Sequence, residues 1–105
     1  MNNFKAVLQS LEDTSSIRCI ELFDADKRKV AEISNQEGSK GSVKIYHHLM
    51  KKFPVLDQAA AAYGLELFSE YVIEARNHPG KHQNIDRLIE IEHNNKVLYI
   101  RAILN

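Results

Sequence analysis

Apolar and polar positions alternate between a helical and an extended period along this chain. Phe4, Val7, Leu8 and Leu11 recur at helical spacing and predict an amphipathic helix over residues 2–12. Thr14-Ser15-Ser16 breaks that pattern. Residues 17–23 are β-prone and mostly apolar, Asp24-Ala25-Asp26-Lys27 supplies turn chemistry, and residues 29–33 return as a second strand, so the segment reads as a β-hairpin. Residues 34–41 are polar and contain two glycines, which predicts a loop. Ser42 is the expected N-cap of a helix from Val43 to about Phe53, striped by Val43, Tyr46, Met50 and Phe53, widened by Ile45 and Leu49, and stopped by Pro54. Lys51 and Lys52 fall in its last turn, where cations suit the helix dipole.

A short alanine-rich helix over residues 58–63 is expected to end with Gly64 in the left-handed C-terminal position. A longer helix over residues 65–76 should follow, with Phe68, Tyr71, Val72 and Ala75 on its core face. Glu66, Glu70 and Glu74 should line one solvent face of it. Residues 76–87 are the most polar and turn-rich passage. After it, Asn84 is the expected N-cap of a helix carrying Ile85, Leu88 and Ile89. The alternative is a strand, since Ile89-Glu90-Ile91-Glu92 alternates and Asn94-Asn95 suits a hairpin turn; the earlier apolar positions favour the helix. Residues 96–104 form the clearest strand, with Leu98, Ile100, Ala102 and Leu104 on one face and Val97, Tyr99, Arg101 and Ile103 on the other.

This order predicts an α+β fold: a small, mainly antiparallel sheet of about three strands with several helices on one face. The last strand should pair with the hairpin. An exposed edge on so small a sheet invites strand pairing with a second copy or needs cover.

Length and composition narrow the function classes. At 105 residues, the expectation is a single domain spanning 1–105. Lys plus Arg equals Asp plus Glu at 14 each, and this zero net charge argues against nucleic acid as a partner. The one cysteine, Cys19, lies in an apolar run and cannot form an internal disulfide, which fits a structural thiol. No stretch approaches the ~20 apolar residues of a membrane span. The first residues lack the basic-then-apolar order of a signal peptide, so the expected compartment is the cytoplasm.

Charge is uneven along the chain. Between Gly38 and Leu56 stand Lys40, Lys44, Lys51, Lys52, His47 and His48 with no carboxylate; between Ala75 and Ile85 stand Arg76, His78, Lys81 and His82, again with none. Each segment includes an expected helix N-terminus, where free N–H groups and the dipole favour an anion. Lys40, Ser42, Arg76, His78, Lys81 and His82 are therefore the candidate polar lining of an anion site. The loop is not a Walker A sequence. No zinc spacing occurs, and His78 and His82 are separated by Pro79-Gly80, so no metal and no cofactor is expected. Asp24 and Asp26 read as turn carboxylates that bond their own backbone. His78 or His82 with Asp86 is the one acid–base pair the spacing offers, and the balance leans against an enzyme.

Several phrases, namely Phe23-Asp24-Ala25-Asp26, residues 38–49, Ala61 with Tyr63-Gly64-Leu65, and residues 75–88, resemble a small bacterial family of uncharacterised proteins over most of the chain. That resemblance implies a compact bacterial protein and carries no catalytic residue. The functional expectation is a small cytoplasmic binding module for an anionic or phosphorylated small molecule. The alternatives are a protein-interaction or homodimer-forming domain, and an enzyme using a histidine as acid or base.

Overall fold

The computed structural model describes residues 3–105. In chain order the elements are α1 (Phe4–Ser10), β1 (Ile17–Phe23), β2 (Lys29–Ser34), α2 (Lys40–Lys52), α3 (Gln58–Phe68), α4 (Tyr71–Asn77), α5 (Gln83–Asn94) and β3 (Tyr99–Leu104). The expected start of the first helix at residue 2 lies outside the described residues. Its observed start is set by Asn3, whose side chain accepts the Ala6 N–H at 2.8 Å.

The three strands form an antiparallel sheet in the order β2-β1-β3, so β1 is central and the last strand pairs with the hairpin as expected. Asp24 organises the hairpin turn: its Oδ1 accepts the N–H groups of Asp26 and Arg28 at 2.9 and 3.0 Å. Ile20 stands between Ile33 and Ala102, and Leu22 between Ala31 and Ile100. These pairs form the face against which the helices pack. On the other face, Glu21 lies between Glu32 and Arg101, and Lys29 bridges both glutamates. The fold is α+β with its helices over one side of the sheet. The core joins Ile20 and Leu22 to Ile45, Tyr46 and Leu49 of α2, Ala61 and Leu65 of α3, and Leu88 and Ile91 of α5.

Helix boundaries depart from the sequence expectation in a consistent way. Helix α2 begins at Lys40 with Ser39 as its N-cap, so Ser42 sits inside the first turn. The Ser39 hydroxyl donates to the Ser34 carbonyl, and Gly38, at φ +92°, turns the chain into the helix earlier than the serine signal at 42 suggested. Helix α3 runs through Gly64. A Cβ there would stand 2.9 Å from methyl carbons of both Leu49 and Leu88. Gly64 thus serves close packing of α3 on α2 and α5 rather than a helix end, and burial of those leucines outweighs the ~1 kcal/mol cost of a mid-helix glycine. The break comes at Ser69, in the left-handed region at φ 55°, and α4 follows. The expected glutamate row is split accordingly: Glu66 is in α3, Glu74 in α4, and Glu70 accepts the Phe4 N–H at 2.8 Å.

Residues 83–94 are helical, and Asn95 closes α5 in the left-handed conformation instead of turning a hairpin. The N-cap is His82, two residues earlier than the expected Asn84, so Asn84 is within the helix. Strand β3 begins at Tyr99, later than expected. Leu98 precedes it and exchanges both backbone hydrogen bonds with Leu56, at 2.8 and 2.9 Å.

Candidate functional site

The first turns of α2 and α5 face one cleft of about 310 Å³. Gly38, Gly41 and Ser42 line one side, and Lys81, His82, Gln83, Asn84 and Ile85 the other. Phe4, Phe68 and Tyr71 complete the wall. The two charge-biased segments, whose lining residues stand 39 or more positions apart in sequence, therefore meet in space.

Local sequence explains the shape of each wall. Gly41 admits α1: a Cβ at this position would stand 2.7 Å from Cζ of Phe4. Phe4 stacks on Phe68 at 5.8 Å and meets Tyr71 edge-on at 5.0 Å, which makes a small aromatic surface. The opposite wall is held from below. Tyr46, fully buried on α2, donates its hydroxyl to the Asn84 carbonyl at 2.6 Å. Arg87 donates to the Tyr46 oxygen and to Asn84 Oδ1, each at 3.0 Å. Burial pushes the Tyr46 phenol up to about 12, with Arg87 pulling weakly the other way. This network ties the first turn of α5 to the middle of α2, so the cleft is built on two joined helices.

The electrostatics come chiefly from backbone. Neither the Ser39 nor the His82 side chain caps its helix. The N–H groups of Gly41, Ser42, Gln83 and Asn84 have no carbonyl four residues earlier inside their helices, and each terminus carries roughly half a positive charge. Two such termini around a polar cleft can hold a carboxylate or phosphate. Side-chain charge adds less than the sequence suggests, because Lys81 bonds Glu74. That lysine holds the half-buried Glu74 carboxyl below the usual carboxylate range. His82 leans edge-on against Tyr71 with ring centroids 5.8 Å apart. Its Nε2 is buried, lies 3.5 Å from Glu74 Oε1 without hydrogen-bond geometry, and has no hydrogen-bond partner.

Of the six sequence-predicted residues, Ser42, Lys81 and His82 line this cleft. Lys40, Arg76 and His78 do not. Lys40 starts α2 but points to Glu37 at 3.8 Å. Arg76 lies on a separate hollow between α4 and α5, with Pro79, Asp86 and His93. His78 is exposed and ends α4. The acid–base pair with Asp86 does not form, because Asp86 Oδ2 accepts the Gly80 N–H at 2.8 Å and no ion pair joins it to His78 or His82 among the described residues. Phe4, Phe68, Tyr71 and Gln83 were missed as site residues. The three aromatics carry a helical period that reads as core, and only the tertiary arrangement exposes their edges to the cleft.

A second cluster draws Cys19, Glu21 and Glu32 together, with ligand atoms within 4.8 Å of one another on the helix-free sheet face. Both carboxylates are already engaged by Lys29, and Glu21 also by Arg101 at 4.0 Å, so a metal would have to displace these cations. Near the other end of α2, Glu12 accepts from His48 Nδ1 at 3.1 Å and lies 3.5 Å from Lys51, and the His48 bond holds its carboxyl below the usual range. No helix among the described residues is long and apolar enough to cross a membrane.

No curated protein and no solved structure matches the chain. A family model described as an uncharacterized protein conserved in bacteria (DUF2322) matches residues 4–102, and the chain belongs to that family, whose function is unknown.

Proposed function

We propose that this chain is a one-domain cytoplasmic module that binds a small anionic or phosphorylated molecule in the cleft between α2 and α5. The observation that carries the reading is the convergence of two helix N-termini, both without side-chain caps, on one cavity. Ser42, Lys81 and His82 supply side-chain donors, and the N–H groups of Gly41, Ser42, Gln83 and Asn84 supply backbone donors. The surface of Phe4, Phe68 and Tyr71 suits an organic part attached to the anion, and the volume suits a molecule larger than inorganic phosphate. A cytoplasmic setting agrees with the lone cysteine, free and buried.

The test is a thermal-shift panel at low salt with phosphate, nucleotides, sugar phosphates and aromatic carboxylates, run on wild type and Gln83→Pro. Gln83 is the first residue of α5, where proline keeps the helix and removes one outward N–H. A ligand at a hundred times its dissociation constant stabilises the folded chain by ~2.7 kcal/mol. The expected result is a selective shift in wild type that shrinks in Gln83→Pro and in Lys81→Ala. A ligand that stabilises all three proteins equally would place its site elsewhere.

A further inference from the structure

The two edges of the sheet differ. Edge strand β2 carries the Lys29–Glu32 ion pair and opposes a register irregularity at Leu22/Phe23, both features that discourage a further strand. Edge strand β3 has no proline, and its register irregularity with β1 falls at Ile17/Cys19, on the β1 side. Its far end presents Leu104, 64% exposed.

The hydrogen-bond phase of β3 shows which groups face outward. Asn105 N–H donates to the Ser16 carbonyl on the β1 side at 2.9 Å. Leu98 exchanges both its bonds with Leu56 on the opposite side. The antiparallel ladder alternates with a period of two, so the N–H and C=O groups of Ile100, Ala102 and Leu104 point away from β1. No strand pairs with them there among the described residues.

We propose that this edge is a homodimer interface, in which β3 of a second copy pairs antiparallel with β3 about a two-fold axis through Ala102. The strand is complementary to itself in this register. Ala102 meets Ala102, the small residue at the dyad. Ile100 meets Leu104 of the partner, and every outward group of Ile100, Ala102 and Leu104 finds a partner. Arg101 faces Ile103 of the partner rather than a second Arg101, so like charges are not stacked across the seam. A register centred on Arg101 would stack them, and one centred on Ile100 would require the groups of Leu98 that Leu56 already occupies. Leu104 of the partner falls opposite Ile100, beside the apolar surface of Met50, Phe53 and Pro54, so its exposed side chain gains apolar neighbours. The product is a continuous six-stranded sheet with the helices of both copies on one side, the isologous arrangement of a two-fold dimer.

The test is mass by sedimentation equilibrium across protein concentration, together with amide hydrogen exchange at high and low concentration. The expected result is a reversible rise toward twice the 12.0 kDa of the chain. Exchange at Ile100, Ala102 and Leu104 should slow only at high concentration. Ala102→Pro removes the central outward donor without touching a bond to β1, as edge strands tolerate, and should abolish the rise. Leu104→Lys, at an exposed position, should do the same and keeps the test decisive if Ala102→Pro does not fold. Val30→Lys on the β2 edge should leave the dimer intact. The proposal is overturned by a chain monomeric at every concentration, by a dimer that survives both β3 variants, or by edge amides protected only when another protein is added.

Discussion

Tyr46→Phe is the sharpest probe of how the cleft is held. It removes one oxygen from a side chain with no exposed surface and changes nothing else in the packing. Two bonds are lost: the donation to the Asn84 carbonyl at 2.6 Å and the acceptance from Arg87 at 3.0 Å. Arg87 keeps its bond to Asn84 Oδ1, and the Asn84 carbonyl stays in the ladder of α5, so the penalty is the loss of two bonds to one buried hydroxyl, ~0.5–1.5 kcal/mol each. The two together come to ~1–3 kcal/mol, and each kcal/mol lowers Tm by about 4–8 °C in a domain near this size. Urea unfolding followed by far-UV circular dichroism, at pH 8, should show a lower midpoint with an unchanged slope.

The same variant carries a second, independent signature in alkali. The phenol is raised in the folded protein from 10.0 to about 12, so between those values the folded chain holds a proton that the unfolded chain has lost. Stability from this group is therefore full below pH 10 and falls as pH rises, by at most ~2–3 kcal/mol once pH passes the folded value. Tyr46→Phe has no such loss. The gap between wild type and variant should narrow steadily above pH 10. Parallel stability curves from pH 8 to 11.5, or a variant within ~0.3 kcal/mol of wild type at pH 8, would refute the reasoning that this hydroxyl is bonded and buried. Because Asn84 lines the cleft, ligand-induced stabilisation should also weaken in the variant.

Two further outcomes follow from the packing and from the histidines on α2. Gly64→Ala should destabilise by ~1–3 kcal/mol despite the better helix propensity of alanine, since its Cβ would press on Leu49 and Leu88; chemical denaturation checks it, and a stabilised variant would mean that the helices separate at no cost. Burial lowers the His47 imidazole below its ordinary 6.5, with the Lys51 and His48 charges lowering it further and Glu12 opposing. The unfolded chain then binds a proton more readily than the folded one, so stability should fall as pH drops from 6.5 toward the lowered value, and His47→Gln should flatten that slope in a pH series of urea midpoints. The Glu12 and Glu74 carboxyls are lowered from 4.5, so their share is lost only at more acidic pH and does not obscure the histidine window.

Local chemistry carried much of this protein. Period-two alternation with Asp24 turn chemistry determined β1 and β2, and the run ending at Leu104 determined β3. Helical spacing with terminal breakers determined α2 and α5, and it separated helix from strand over residues 85–93. Those signals act within a few residues, where backbone geometry and burial of one face dominate. The errors came where a distant surface decided. Gly64 looks like a helix stop until Leu49 and Leu88 are seen to need the space of its missing side chain. Ser42 and Asn84 look like caps, yet Ser39 and His82 take those places because the chain enters each helix from a turn set by a positive-φ glycine or by packing. For the site, sequence identified two charge-biased segments with helix N-termini, but not their meeting, which depends on Tyr46 reaching across to Asn84 and Arg87. It also overcounted cationic charge, since Lys81 turns to Glu74 and Lys40 to Glu37. Residue type and spacing determine which elements form; which of their ends face each other, and which charges remain unpaired, is settled only when the helices close on the sheet, because those contacts join residues far apart in the chain.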